Sequence, residues 1–168
     1  AYAGYWDAMT RLSGGYLMFA STILAVYYLP RLSELKKYKD IKKEINYGYK
    51  VILPLACILS LIIYFYQDFI INLLFTKDFL PMKELMFWQL VGDVIKIGSW
   101  IISFMMLSKA MTKIFIVTET IFALSIIPLS IFFIHHFGFK GIAMAFALNC
   151  QFYWTVCSYY SLKKLKRL

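Results

Sequence analysis

The segment that most constrains this chain is the apolar run from residue 84 to residue 108, because it carries charged side chains near its middle. As a helix rising about 1.5 Å per residue, it would be roughly 37 Å long, more than the roughly 30 Å hydrocarbon core of a bilayer. Asp93 and Lys96 lie in its central turns. Charges at that depth are costly and usually face the interior of a bundle or a water-filled cavity. The run therefore predicts one transmembrane helix of a multi-helix bundle.

Polar side chains recur along one side of this predicted helix at intervals of three or four residues, which places them on one face. They are Gln89, Asp93, Lys96, Trp100 and Ser103. A single lipid-facing anchor has no need of such a stripe, so we expect it to line a polar cavity in the membrane. The alternative is that Asp93 and Lys96 neutralise each other or pair with charges on other helices.

The composition excludes a soluble fold of this size. The 168 residues are 61% hydrophobic and 19% aromatic, with a mean hydropathy of +0.67. A soluble domain could not bury that much apolar surface, and only helices or closed barrels span membranes. We therefore predict an all-α, polytopic transmembrane helix bundle. The net charge of +9 is spread in a way that indicates membrane topology, and no nucleic-acid partner is expected.

Apolar runs along the chain predict about five spans. They cover residues of about 3–29, 51–75, 84–108, 114–133 and 142–162. The basic loop 31–50 has apolar residues at helical spacing, which favours a short amphipathic helix at the membrane surface. Asp68 interrupts the second run, so either that helix continues with Asp68 near the interface or a shallow segment begins there.

Basic residues set the predicted orientation. The connectors after spans one and three and the C-terminal segment hold seven, two and four Lys or Arg, out of 18 in the chain. Because basic loops stay in the cytoplasm, we expect loop 31–50 and the C-terminus to be cytoplasmic. An odd number of spans puts the two ends on opposite sides, which favours a piece of a longer protein.

Few other residues suggest chemistry. Asp7 and Arg11 have the i, i+4 spacing of a helical ion pair. Glu119 either reaches toward the basic turn at Lys113 or acts as a buried proton site. We find no nucleophile triad, phosphate loop or metal-ligand spacing, so no enzyme activity, cofactor or metal is expected.

Several stretches resemble one protein family. They are GYWDAMTRLSGGYL (4–17), YYLPRLSEL (27–35), MKELMFWQLVGDVIKIGSW (82–100) and SKA (108–110). They are similar to the O-antigen and enterobacterial-common-antigen translocases, which are lipid-linked oligosaccharide flippases of the multidrug/oligosaccharidyl-lipid/polysaccharide exporter superfamily. The resemblance covers almost the whole chain in order. One departure is Gly14, where the family pattern has an acidic residue.

The resemblance implies a two-lobed protein around a cationic cavity, with residues 1–168 forming most of the C-terminal lobe. It implies translocation of an undecaprenyl-pyrophosphate-linked oligosaccharide from the cytoplasmic to the periplasmic face of the bacterial inner (plasma) membrane by alternating access. Membrane lipids, and polymerase and chain-length proteins of the same pathway, would be its partners.

Within that reading, Lys96 and Arg11 would bind the anionic headgroup. Asp93, Glu119 and Asp7 would be candidates for ion coupling. Two alternatives stay open: a drug or cation antiporter of the same superfamily, and a non-transporting membrane scaffold in polysaccharide assembly. An antiporter would favour acidic over basic cavity groups, which Lys96 and Arg11 argue against.

Overall fold

The computed structural model describes residues 2–166, except for the side chains of Tyr2 and Lys77, and these residues form helices joined by short turns. The described part of the chain contains seven α-helices: α1 (Tyr2–Ile23), α2 (Leu29–Glu34), α3 (Tyr38–Phe65), α4 (Gln67–Leu74), α5 (Lys83–Ser108), α6 (Thr112–Phe137) and α7 (Gly141–Leu165). The predicted all-α bundle is confirmed. Arg167, which we counted among the basic residues of the C-terminal segment, lies outside the described residues.

Within residues 2–166, four helical segments are long and apolar enough to cross a membrane. They are Ala3–Glu34, Tyr38–Phe65, Asp78–Ser108 and Thr112–Leu165. The last segment contains both α6 and α7, which are joined by a 3-10 turn at Gly138–Lys140. The chain is therefore a multi-pass membrane protein, and its number of crossings and its orientation stay predictions.

The first helical segment continues beyond Pro30, where we expected the first span to close. A π-helical turn at Leu24–Tyr28 joins α1 to α2, and the amide of Leu29 bonds to the carbonyl of Leu24, five residues earlier. Proline has no N–H and would break the regular ladder at this point. The wider turn lets the chain stay helical through Pro30, and it ends only at Glu34.

The basic loop 31–50 does not form a separate surface helix, which differs from our expectation. Its second half is the start of α3, which continues without a break to Phe65. The reason is that one stripe of buried residues, at helical spacing, runs along α3 from its basic start to its apolar end. Its members are Ile41, Ile45, Gly48, Ala56, Ser60 and Ile63. Pro54 lies inside the helix without ending it.

The second apolar run divides at Tyr66, which resolves the question raised by Asp68. The backbone of Tyr66 leaves the helical region with φ −96° and ψ 16°, and α4 then begins at Gln67. Asp68 lies in the first turn of α4, where the helix dipole favours an acidic group. Its carboxylate also pairs with Lys83 at the start of α5. Of the two alternatives, the structure therefore contains the second, in which a separate short segment begins near Asp68.

Helix α5 lies at the centre of the bundle, packed against α1, α3 and α7, while α6 packs on α7. Of its apolar window 61% is buried, against 22% or less in the other candidate spans. Close approach to α7 depends on Gly92, because a Cβ there would lie 2.6 Å from the Phe146 ring and 3.2 Å from the Cα of Ala147. Small residues allow such approach between membrane helices.

Candidate functional site

The polar stripe of α5 does not face one common space. Gln89 and Asp93 are buried beneath α1, whereas Lys96 and Trp100 line an open cavity formed with α6 and α7. Ser103 is buried in contact with Tyr153 of α7. Because α5 is surrounded by other helices, different residues of its stripe contact different helices. The stripe therefore lies in two separate environments instead of lining one continuous path.

Asp93 is fully buried and is held by neutral donors rather than by a cation. Ser13 of α1 donates a hydrogen bond of 2.7 Å to Oδ2, and the Tyr16 hydroxyl donates to the same oxygen. Gln89, one turn earlier on α5, donates to Oδ1 at 3.2 Å. Such donors satisfy a buried carboxylate that would otherwise be very costly in an apolar bundle.

Lys96 faces the other side, toward the open cavity of about 340 Å³ between α5, α6 and α7. Its ammonium lies 5.7 Å from the centre of the Trp100 ring and 5.5 Å from that of Phe146. Aromatic faces attract cations at this range. Within residues 2–166, no ion pair of 4 Å or less joins Lys96 to Asp93, so the structure does not have the neutralising pair that we considered. The Lys96 side chain therefore faces the cavity rather than Asp93.

The same cavity holds a hydrogen-bonded carboxylate. The Tyr153 hydroxyl donates a hydrogen bond of 2.5 Å to Oε1 of Glu119, and its oxygen lies 2.7 Å from the Ser103 hydroxyl. If Tyr153 donates to Glu119, Ser103 donates to Tyr153, and a chain of hydrogen bonds crosses from α5 through α7 to α6. Glu119 is exposed and accepts a hydrogen bond from Tyr153, and among the described residues no ion pair of 4 Å or less joins it to Lys113.

Asn149 of α7 fixes the opposite wall of the cavity. Its Nδ2 donates to the carbonyl of Phe122 at 3.0 Å, and its Oδ1 accepts from Ser125 at 2.7 Å. Our sequence reasoning did not select Asn149, Tyr153, Ser13 or Tyr16. Asn149 could have been selected from the sequence, because an amide side chain is unusual within an apolar helix. Serine and tyrosine are common in such segments, so Ser13, Tyr16 and Tyr153 did not stand out.

The ion pair expected from the spacing of Asp7 and Arg11 is present, at 2.8 Å. Both side chains are more than half exposed on α1, and Gly14 and Met18 continue the same exposed face. Arg11 is not among the described residues that line the Lys96 cavity. The two cations that we assigned to one headgroup site therefore lie on different surfaces of this chain.

The chain is similar to two curated proteins. It is 31% identical over 154 residues to a lipid III flippase of Escherichia coli (strain K12) and, to the same extent, to a lipid III flippase of Shigella flexneri. The aligned part is 92% of this chain and 37% of each relative, so the chain spans just over a third of their length. No family model matches the chain. No solved structure matches it either. The similarity supports a relationship to lipid-linked oligosaccharide flippases, a class of transporters.

Proposed function

We propose that this chain forms part of a flippase that moves an undecaprenyl-pyrophosphate-linked oligosaccharide across the bacterial inner membrane, from the cytoplasmic to the periplasmic face. The cargo would be an O-antigen or enterobacterial-common-antigen unit. The observation that carries the proposal is the position of Lys96 at an open cavity of an apolar bundle. Its ammonium lies 5.7 and 5.5 Å from the centres of two aromatic rings, and none of the ion pairs among the described residues includes it. The similarity to two curated lipid III flippases supports the same class of cargo.

The physical task is to bring a pyrophosphate and a chain of sugars through hydrocarbon, while the lipid tail stays outside. The Lys96 ammonium would attract the phosphate oxygens. The Trp100 ring, at the same cavity, would pack against the apolar face of a sugar, and Asn149 and Glu119 would replace water at its hydroxyls. Arg11, exposed on α1, would give a second cation where the rest of the protein completes the path.

Transport would proceed by alternating access, in which this lobe rocks against a second one. Glu119 would be the first candidate for proton coupling, because the cavity reaches it and Tyr153 supplies a neighbouring proton donor. Asp93 and Asp7 are the other candidates. The C-terminus would lie in the cytoplasm, and polymerase and chain-length proteins of the pathway would act on the translocated product.

The test is to replace Lys96 with Ala in the full-length protein at native expression, and to measure surface polysaccharide in cells that lack their own copy. Charge-assisted contacts are worth about 1.5 to 3 kcal/mol, so we expect at least a roughly tenfold loss of product. Lys96→Arg should retain part of the activity. Lys113→Ala, which removes an exposed lysine at the start of α6, should have no effect. Normal polysaccharide with Lys96→Ala would refute the headgroup role.

A further inference from the structure

Helix α3 carries a second surface with the chemistry of a lipid, separate from the Lys96 cavity. One exposed stripe runs along the whole helix at intervals of three or four residues. Its members are Lys39, Lys43, Tyr47, Lys50, Pro54, Ile58, Leu61 and Phe65. The stripe is basic up to Lys50 and apolar after it. Because α3 is one uninterrupted helix, the two parts keep a fixed position relative to each other.

The basic part of the stripe is an open depression, and none of the described residues that line it is acidic. Lys39, Lys42, Lys43 and Lys50 line it together with two tyrosines and an asparagine. The nearby Glu44 faces Arg31 on another side, with their side chains 3.9 Å apart. Lys43 also lines an adjoining depression that contains Asp40 and Glu44, so the acidic groups lie at one border of the basic surface. The other three lysines face the first depression, and an anionic group is the ligand that they would attract.

The apolar part leads into a groove of about 460 Å³ between α3 and α5. Its walls include Cys57, Leu61 and Phe65 of α3 and Phe87, Val91 and Val94 of α5. The groove begins at Cys57, seven residues past Lys50, which is about 10 Å along a helix. Its α5 wall is formed by residues other than Lys96 and Trp100, which line the cavity on the far side.

We propose that this surface binds an anionic phospholipid of the surrounding membrane, with its phosphate among the lysines and one acyl chain in the α3–α5 groove. Three observations favour this occupant: the charge of the depression, the apolar walls of the groove, and their alignment on one rigid helix. The helix from Lys50 to Phe65 is roughly 22 Å long, which exceeds the roughly 15 Å half-thickness of the hydrocarbon core. This part of α3 is therefore long enough to lie alongside an acyl chain of one leaflet. This inference is independent of the transported cargo.

Cys57 allows a direct test because it is exposed in the groove, whereas Cys150 and Cys157 are buried. In the full-length protein, Cys150 and Cys157 are replaced by Ala and any cysteine outside this chain by Ser. A fluorophore on Cys57 then reports quenching by brominated acyl chains in mixed vesicles. Brominated phosphatidylglycerol is compared with brominated phosphatidylcholine in an unbrominated phosphatidylcholine background.

Basic residues near a membrane surface attract anionic lipid, and we expect phosphatidylglycerol to be preferred by about tenfold, which corresponds to about 1.4 kcal/mol. The triple variant Lys39→Gln, Lys43→Gln, Lys50→Gln should reduce this preference to less than about twofold. The matched control replaces Lys163, Lys164 and Lys166 with Gln, which removes the same charge from the end of α7. This control should keep the preference.

Three results would overturn the proposal. One is equal quenching by both lipids in the unmodified protein. A second is an equal loss of preference in the triple variant and its control. The third is displacement of brominated phosphatidylglycerol by an equimolar polyprenyl pyrophosphate, which would assign the groove to the transported lipid class instead.

Discussion

Ser13 on α1 donates a hydrogen bond of 2.7 Å to Asp93 on α5, across 80 residues of sequence, and both side chains are buried. Tyr16, one turn later on α1, donates to the same carboxylate oxygen. One acidic group of the central helix therefore holds the first helix in place. Because the carboxylate accepts from these hydroxyl groups, it helps to dock α1, while Lys96 lies at the cavity formed with α6 and α7.

The first prediction concerns this contact. Replacing Ser13 with Ala should lower the free energy of unfolding by about 1 kcal/mol, because a buried acceptor loses a donor. Thermal unfolding in detergent, or titration with a denaturing detergent, measures the change. Ser21→Ala is the matched control, since the Ser21 hydroxyl donates to the carbonyl of Met18 in its own helix. Equal effects of the two substitutions would contradict the docking role of Ser13.

The second prediction compares two glycines in helices. A Cβ at Gly141 would lie 2.2 Å from the carbonyl oxygen of Phe133, which is backbone and cannot move aside easily. Gly141→Ala should therefore destabilise the protein by about 1 to 3 kcal/mol. A Cβ at Gly15 would meet nothing within 4 Å, so Gly15→Ala should stabilise α1 by about 0.5 to 1 kcal/mol. Opposite shifts in melting temperature are expected, and shifts of the same sign would be inconsistent with this packing.

The third prediction tests the chain of hydrogen bonds at the cavity. Tyr153→Phe removes the hydroxyl between Ser103 and Glu119 but keeps the ring that packs on Phe122. We expect a loss of about 1 kcal/mol. Combined with Ser103→Ala, the losses should be less than additive, because both variants break one contact. Ser108→Ala, whose hydroxyl bonds to Met105 in the same helix, should be additive with Tyr153→Phe. Additive losses with Ser103→Ala would count against the chain.

The fourth prediction concerns Lys109, which joins the turn after α5 to the end of α2. Its ammonium donates to the carbonyl of Leu32 at 2.7 Å and also to that of Leu35. Burial lowers the pKa of Lys109 below its usual value, yet the two carbonyls still need its donors. Lys109→Met should destabilise the protein by about 1 to 3 kcal/mol, because helix-end carbonyls lose their partner.

Lys113→Met is the control for Lys109, because Lys113 lies one turn away and is exposed. Both variants remove one positive charge near the junction of α5 and α6, so a difference in melting temperature isolates the two carbonyl contacts. No difference between them would argue that the Lys109 contacts do not stabilise the fold.

Much of the fold could be predicted because each helix has its own signal. Apolar runs of more than 20 residues are long enough to cross a membrane, and the i, i+4 spacing of Asp7 and Arg11 was enough to expect their ion pair. The predicted helix boundaries at Pro30 and in the basic loop 31–50 were less accurate. A π-helical turn before Pro30 and a buried stripe continuing through α3 kept both regions helical, and neither depends on local propensity alone.

The sequence by itself determined that this is an all-helical membrane protein and that α5 carries a polar stripe, since hydropathy and helical periodicity are local properties of the chain. Only the tertiary structure decided which neighbour each stripe residue meets. Asp93 is enclosed by Ser13 and Tyr16 because α1 packs over it, and Lys96 remains open because α6 and α7 leave a cavity there. Partners 80 residues apart are set by how helices pack, and a helix's own pattern does not specify them.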